Sequence, residues 1–115
     1  MAVELHQGGC HCGAVRFTAR LDLAQPVVVC NCSICRKSGA MLSVVADDDF
    51  TLQSGEAALT TYRFNNRVIG HRFCSTCGVK SFAAFEGGGV AINVRTLDGV
   101  DPSTLQIMPF DGASA

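Results

Sequence analysis

The placement of its seven cysteines constrains this chain more than any other feature, because every one of them belongs to a group. Cys10 and Cys12 lie in GGCHCGAV, Cys30, Cys32 and Cys35 in VVVCNCSICRKSGA, and Cys74 and Cys77 in RFCSTCGV. An odd number of cysteines cannot pair completely within one chain, and in a reducing compartment such groups serve as metal ligands or catalytic thiols more often than as disulfides. The last group is the simplest to read. Cys-x-x-Cys followed by Gly78 has the form of a zinc knuckle, in which a tight turn aims both sulfurs at one metal and glycine accepts the left-handed backbone that follows.

A knuckle supplies two ligands, and a closed structural zinc site takes four sulfurs at about 2.3 Å in tetrahedral array. Cys10 and Cys12 are the natural second pair. On a flat strand their side chains would point the same way roughly 6.5 Å apart, so the chain must bend there; Gly8, Gly9 and Gly13 flank the pair and permit it. Joining this pair to the distant knuckle would close most of the fold into one loop, and a structural zinc can contribute on the order of 10 kcal/mol to folding.

Cys30, Cys32 and Cys35 remain. Three protein ligands with one open position is the usual design of a zinc site that does chemistry. Three thiolates on a dication leave a net negative charge, so such a metal is a weak electrophile towards water and favours holding an incoming thiol as a nucleophilic thiolate. Arg36 and Lys37, directly after the third ligand, would offset that charge or meet substrate carboxylates, or else form an ordinary solvated face. Two further readings of the triplet stay open: completion by His6, His11 or His71 to give a second structural zinc, and Cys35 as a free reactive thiol with Cys30 and Cys32 buried near it.

At 115 residues the chain is the size of one ordinary domain, read here as a single zinc-binding domain over residues 1–115. The formal net charge is -1 and the nine lysines and arginines are scattered, which argues against a nucleic-acid partner. MAVELHQGG has no basic segment followed by an apolar run, and no stretch approaches the roughly 18 apolar residues of a membrane span. A cytoplasmic protein with no membrane association is the expectation.

Alternation in AVRFTA (Val15, Phe17, Ala19) predicts a half-buried strand, and PVVVC, with Pro26 at its first position, a strand buried on both faces. Short extended runs follow at MLSVVA, FTLQS, ALTTYRF, RVIGHRF, SFAAFE and VAINV, with a hairpin turn at Asn65-Asn66. Helical turns are expected only at SICRKSG, closed by Gly39, and at DPSTL, where Asp101 can cap and Pro102 opens the turn. The class is mainly β, small curved sheets with the cysteines in their loops.

In order, GGCHCGAV, CNCSICRKSGA, GEAALTTYRF, RFCSTCG and NVRTLDGVDP resemble the glutathione-dependent formaldehyde-activating enzymes and their relatives, over most of the chain from about Gly8 to Asp111. The resemblance implies a mainly β, Mss4-like fold of antiparallel sheets and two zinc ions per chain. It carries a structural zinc to Cys10, Cys12, Cys74 and Cys77 and a catalytic zinc to Cys30, Cys32 and Cys35. The implied activity is joining formaldehyde to glutathione to give S-hydroxymethylglutathione, a carbon–sulfur lyase reaction run in reverse, and the implied partners are a small thiol and a small aldehyde. A zinc-held thiolate attacking a small carbonyl is the reaction that a three-thiolate site would favour. The alternative from another class is a non-catalytic, zinc-stabilised binding module.

Overall fold

The computed structural model describes residues 3–63 and 69–112. It is mainly β, as expected. Among the described residues the strands are β1 (Glu4–Gly9), β2 (Arg16–Leu21), β3 (Val27–Cys30), β4 (Leu42–Val45), β5 (Phe50–Ser54), β6 (Leu59–Tyr62), β7 (Ile69–Cys74), β8 (Lys80–Phe85), β9 (Val90–Asn93) and β10 (Ile107–Phe110). One short helix, α1 (Ser33–Ser38), follows β3. No helix among these residues is long and apolar enough to cross a membrane.

The strands form two open sheets, β1-β2-β5 and β10-β3-β4-β9-β8-β7-β6. All neighbours pair antiparallel except β10 with β3, where Ile107 lies opposite Val27 and Phe110 opposite Cys30 in parallel register. The main core includes Phe17, Ala19, Leu21, Met41, Phe82 and Ile92, drawn from both sheets. Phe17, Phe50 and Phe82 meet there with ring centroids 4.6 to 6.4 Å apart, in the tilted and edge-on contacts that aromatic rings favour.

The other face of the seven-stranded sheet is only partly covered. This alters the expectation for β3: Val27 is buried, but Val28, Val29 and Cys30 are each only half-buried. Residues alternate across a strand, so Val28 and Cys30 share the partly open face with Leu42 and Val44 of β4 and Ala83 and Phe85 of β8. The strand therefore leads its terminal cysteine to an accessible surface instead of into the interior.

Both expected helical turns form, but they are not alone among the described residues: three further 3-10 turns, at Asp47–Asp49, Glu56–Ala58 and Val94–Thr96, lie where the sequence shows no helical periodicity, each a single turn at the end of a strand. Gly39 closes α1 in the left-handed conformation at φ 72°, its N–H donating to the Cys35 carbonyl at 2.9 Å. The 3-10 turn at Pro102–Thr104 is capped by the Asp101 carboxylate, which accepts from the Ser103 N–H at 3.0 Å. The Asn65-Asn66 turn lies outside the described residues, although its flanking strands β6 and β7 pair antiparallel. β1 and β10 are additional strands. β1 is largely exposed over Glu4–Gln7, Leu5 included, and is defined by continuous pairing with β2. β10 carries Pro109 on the sheet edge, a position that tolerates a residue without an N–H.

Candidate functional site

Two groups of sulfurs converge, divided four and three as the spacing suggests. In the first, the Sγ atoms of Cys10, Cys12, Cys74 and Cys77 all lie within 4.8 Å of one another. Cys12 Sγ is 3.6 Å from Cys10 Sγ and 3.6 Å from Cys74 Sγ. Sulfurs at about 2.3 Å from a tetrahedral metal stand about 3.8 Å apart, so this donor set fits zinc. The required bend after β1 is a tight reversal, in which the Cys10 N–H donates to the Val15 carbonyl at 3.1 Å and the Gly13 N–H to the Cys10 carbonyl at 3.4 Å. The knuckle closes similarly, with the Gly78 N–H on the Cys74 carbonyl at 2.8 Å and Gly78 at φ 79°.

The electrostatics of the first group also call for a cation. Backbone amides aim at the sulfurs, from Val15 to Cys10 at 3.3 Å and from Thr76 to Cys74 at 3.4 Å. The amides of Val79 and then Cys12 lower the Cys77 thiol to about 6. At Cys12 the Ala14 amide favours the thiolate, but the neighbouring sulfurs of Cys10 and Cys74 outweigh it and push the thiol up to about 11. Four sulfurs this close do not all ionise until a positive charge joins them.

The second group is local. Cys30 ends β3, Cys32 is the N-terminal cap of α1 and Cys35 lies one turn into the helix, and their sulfurs lie within 4.8 Å of one another. The Arg36 N–H donates to the Cys32 carbonyl at 2.9 Å, and the Cys32 N–H points at Cys30 Sγ at 3.4 Å. Burial, then the hydrogen bond to Cys32, raises the Cys35 thiol to about 12. The C-terminal strand braces this corner: the Asn31 N–H donates to the Phe110 carbonyl at 3.1 Å and Asn31 Nδ2 to Asp111 Oδ1 at 3.0 Å. Gly112 comes so close that a Cβ there would collide with the Cys30 sulfur.

These three sulfurs open onto a hollow of about 330 Å³ on the partly open sheet face, lined largely by apolar side chains. Its polar groups besides the cysteines are His71 and Lys80. Lys80 Nζ lies 3.2 Å from His71 Nδ1. Burial lowers the Lys80 ammonium while Cys35 and Cys32 work against that shift; burial, with Lys80 adding to it, lowers His71 to about 4. The Lys80 carbonyl accepts from Asn93 Nδ2 at 2.9 Å, and Asn93 Oδ1 accepts from the Met41 and Arg95 amides at 3.3 and 3.2 Å. One buried asparagine thus ties β8 and β9 to the chain leading into β4.

Of the other candidates, Arg36 and Lys37 are both exposed. Lys37 lines a second, smaller hollow of about 280 Å³ with Ser33, Ile34 and Tyr62, and Arg36 lines neither hollow. No histidine joins either sulfur group among the described residues: His11 is exposed, His6 is half-buried, and His71 faces the triplet's hollow without entering the cluster. Cys35 stands with its two neighbours, not alone. The sequence reading missed Lys80 altogether, since a lysine at the head of a strand looks like an ordinary surface charge. Only the pairing of β7 with β8, with His71 opposite Ala83, brings it to the site.

The chain matches the family described as glutathione-dependent formaldehyde-activating enzyme over residues 5–108. A Halomonas elongata protein, named provisionally as a glutathione-dependent formaldehyde-activating enzyme, is 36% identical over 81 residues, which cover 64% of this chain and 52% of that protein. The chain therefore spans about half the length of that relative. A crystal structure of a Rhodobacter sphaeroides protein superposes with a TM-score of 0.82 at 34% identity, covering 90% of this chain and 97% of the other.

Proposed function

The chain belongs to the glutathione-dependent formaldehyde-activating enzyme family, and from that premise we propose that it is a zinc-dependent enzyme of the carbon–sulfur lyase type. It would join glutathione or a related small thiol to formaldehyde or another small aldehyde, giving an S-hydroxymethyl adduct. The observation that carries this reading is the unequal division of the sulfurs, four closed upon one another and three opening onto a hollow. Cys10, Cys12, Cys74 and Cys77 would hold a structural zinc, and Cys30, Cys32 and Cys35 a catalytic one. A zinc held by three thiolates would supply one further position of low electrophilicity, suited to keeping a thiol in its nucleophilic form.

The chain's own residues do the rest. Cys30 and Cys32 are fixed by the end of β3 and the first turn of α1, so the donor corner is set before any ligand arrives. Lys80 is the cation in the hollow and offsets negative charge collecting at the sulfurs. Lys37, on the far side of Ile34, is available to a carboxylate of the thiol substrate. The same reading takes residues 1–115 as one zinc-binding domain working in the cytosol, where thiols stay reduced.

Metal analysis combined with carbon NMR of labelled formaldehyde tests it. Two zinc ions per chain and accelerated exchange between formaldehyde and its glutathione adduct are expected. Full metal content with no acceleration for any small thiol would instead indicate a zinc-stabilised binding module.

A further inference from the structure

Resting on that reading, we propose that the aldehyde this site accepts carries an apolar substituent, an alkyl chain or an aromatic ring, seated in the hollow beside Cys30, Cys32 and Cys35. Formaldehyde has no such group. The hollow beside the triplet measures about 330 Å³, and Val28, Leu42, Ala83, Phe85, Ala91 and Phe110 form much of its wall. The main chain of β4, β9 and β8 is committed to its ladders, so this face offers a ligand little beyond apolar contact. At its mouth Val44 is 60% exposed and Phe110 52% exposed, large apolar side chains left in water unless something covers them.

Charge decides which reactant belongs here. Glutathione carries two carboxylates and an ammonium, and burying these without partners is costly; apart from the sulfurs and His71, the hollow offers one charged group, Lys80. The body of a charged thiol fits the α1 side better, where Ser33 and Lys37 line the second hollow. That leaves the apolar face to the carbonyl reactant. Its oxygen would turn towards Lys80, the pole of the hollow able to stabilise negative charge, and its carbon towards the sulfurs.

The chemistry balances without a redox partner. The thiol sulfur adds to the carbonyl carbon, a carbon–sulfur bond forms, and the carbonyl π pair moves onto oxygen. The proton lost by the thiol ends on that oxygen, giving a neutral hemithioacetal. Each methylene taken into the hollow should tighten binding about fourfold.

The test uses the zinc-loaded full chain and two series. Acetamide, butyramide, hexanamide and benzamide, unreactive mimics of the aldehydes, are titrated while the methyl signals of Val28, Leu42 and Ala91 are followed by NMR. Formaldehyde, butanal, hexanal and benzaldehyde are then compared as substrates with glutathione. Affinity rising about fourfold per methylene, with kcat/KM rising in parallel, is expected. Both slopes should flatten in Ala83→Leu, which fills the floor, and in Val44→Asp, which charges the exposed lip without entering the core. Adduct formation from formaldehyde with no gain along either series overturns this proposal and leaves the enzyme reading intact. Binding that rises with chain length while no aldehyde reacts overturns both.

Discussion

The four-sulfur group takes its members from two sheets, Cys10 and Cys12 after β1 and Cys74 and Cys77 at the end of β7, whereas the three-sulfur group takes all of its members from the single corner between β3 and α1. Cys12 and Cys74 are 62 positions apart, and Cys10 and Cys74 are buried with Val15 in a small core that includes Leu52, Leu59 and Val79. A cross-link over that span is worth on the order of 4 kcal/mol through loop closure alone. The triplet closes almost no loop and adjoins a hollow instead of a core. The same kind of donor atom therefore sits in two settings, and what separates them is the length of chain each group spans and what packs around it.

The largest expected effect comes from breaking the long tie. Cys77→Ala should cost at least about 4 kcal/mol, lowering Tm on the order of 15 °C or abolishing the cooperative transition, with loss of the metal at that site. Circular dichroism melts alongside metal analysis measure it. Cys35→Ala comes next: Tm should stay within about 5 °C of the parent while zinc content falls from two to one and thiol binding weakens at least about 100-fold. With cobalt in place of zinc, only the parent's triplet should give a spectrum that responds to added glutathione. Equal losses of stability in the two variants would erase the contrast and make both sites structural.

What could be read from the sequence follows the same division between local and distant. The cysteine groups were legible because metal ligands recur at short spacings, and the Gly39 and Asp101-Pro102 signals because caps and turns act within a few residues. β1 and β10 were not legible. Glu4, His6 and Gln7 of β1 have no apolar alternation, and their strand is defined by pairing with β2; β10 holds a proline and sits parallel to a strand about 80 positions earlier. PVVVC reads as a fully buried strand on composition alone, and only the placement of β8 and β4 reveals that one face is partly open. Lys80 and His71 come together across the β7–β8 register and Asn93 reaches β8 from the end of β9, relations that no window of sequence contains.

His71 sharpens the contrast from the triplet's side. Its folded value of about 4 lies below the ordinary 6.5 of an unfolded histidine because it is buried, with Lys80 nearby. Between those values the unfolded chain binds more protons, so stability rises with pH across that window; the contribution is complete above 6.5 and is lost as pH falls through 4. The loss should amount to about 3 kcal/mol in the parent and be absent from His71→Asn. The sulfurs around Lys80 and in the knuckle protonate in both proteins, so the difference between their pH profiles, read from urea unfolding with metal in excess, isolates the histidine.

The smallest effect concerns the two charges at the end of α1, and it asks whether the open site extends to the helix surface. Of the two, Lys37 lines the hollow beyond Ile34, while Arg36 is exposed and lines neither hollow. An exposed ammonium meeting a mobile carboxylate is worth at most about 1 kcal/mol and is screened by salt. Lys37→Ala should therefore raise KM for glutathione about three- to fivefold at low ionic strength and hardly at all in concentrated salt, while Arg36→Ala changes it less than twofold. For an uncharged thiol such as 2-mercaptoethanol, neither variant should differ from the parent. Zinc content should be unchanged in both, since a guanidinium or ammonium has no lone pair to offer a metal and the donors grouped at this corner are the three sulfurs. Equal, salt-insensitive losses for charged and uncharged thiols would mean that the residues act by holding the helix, and the functional boundary would then be drawn at the sulfurs themselves.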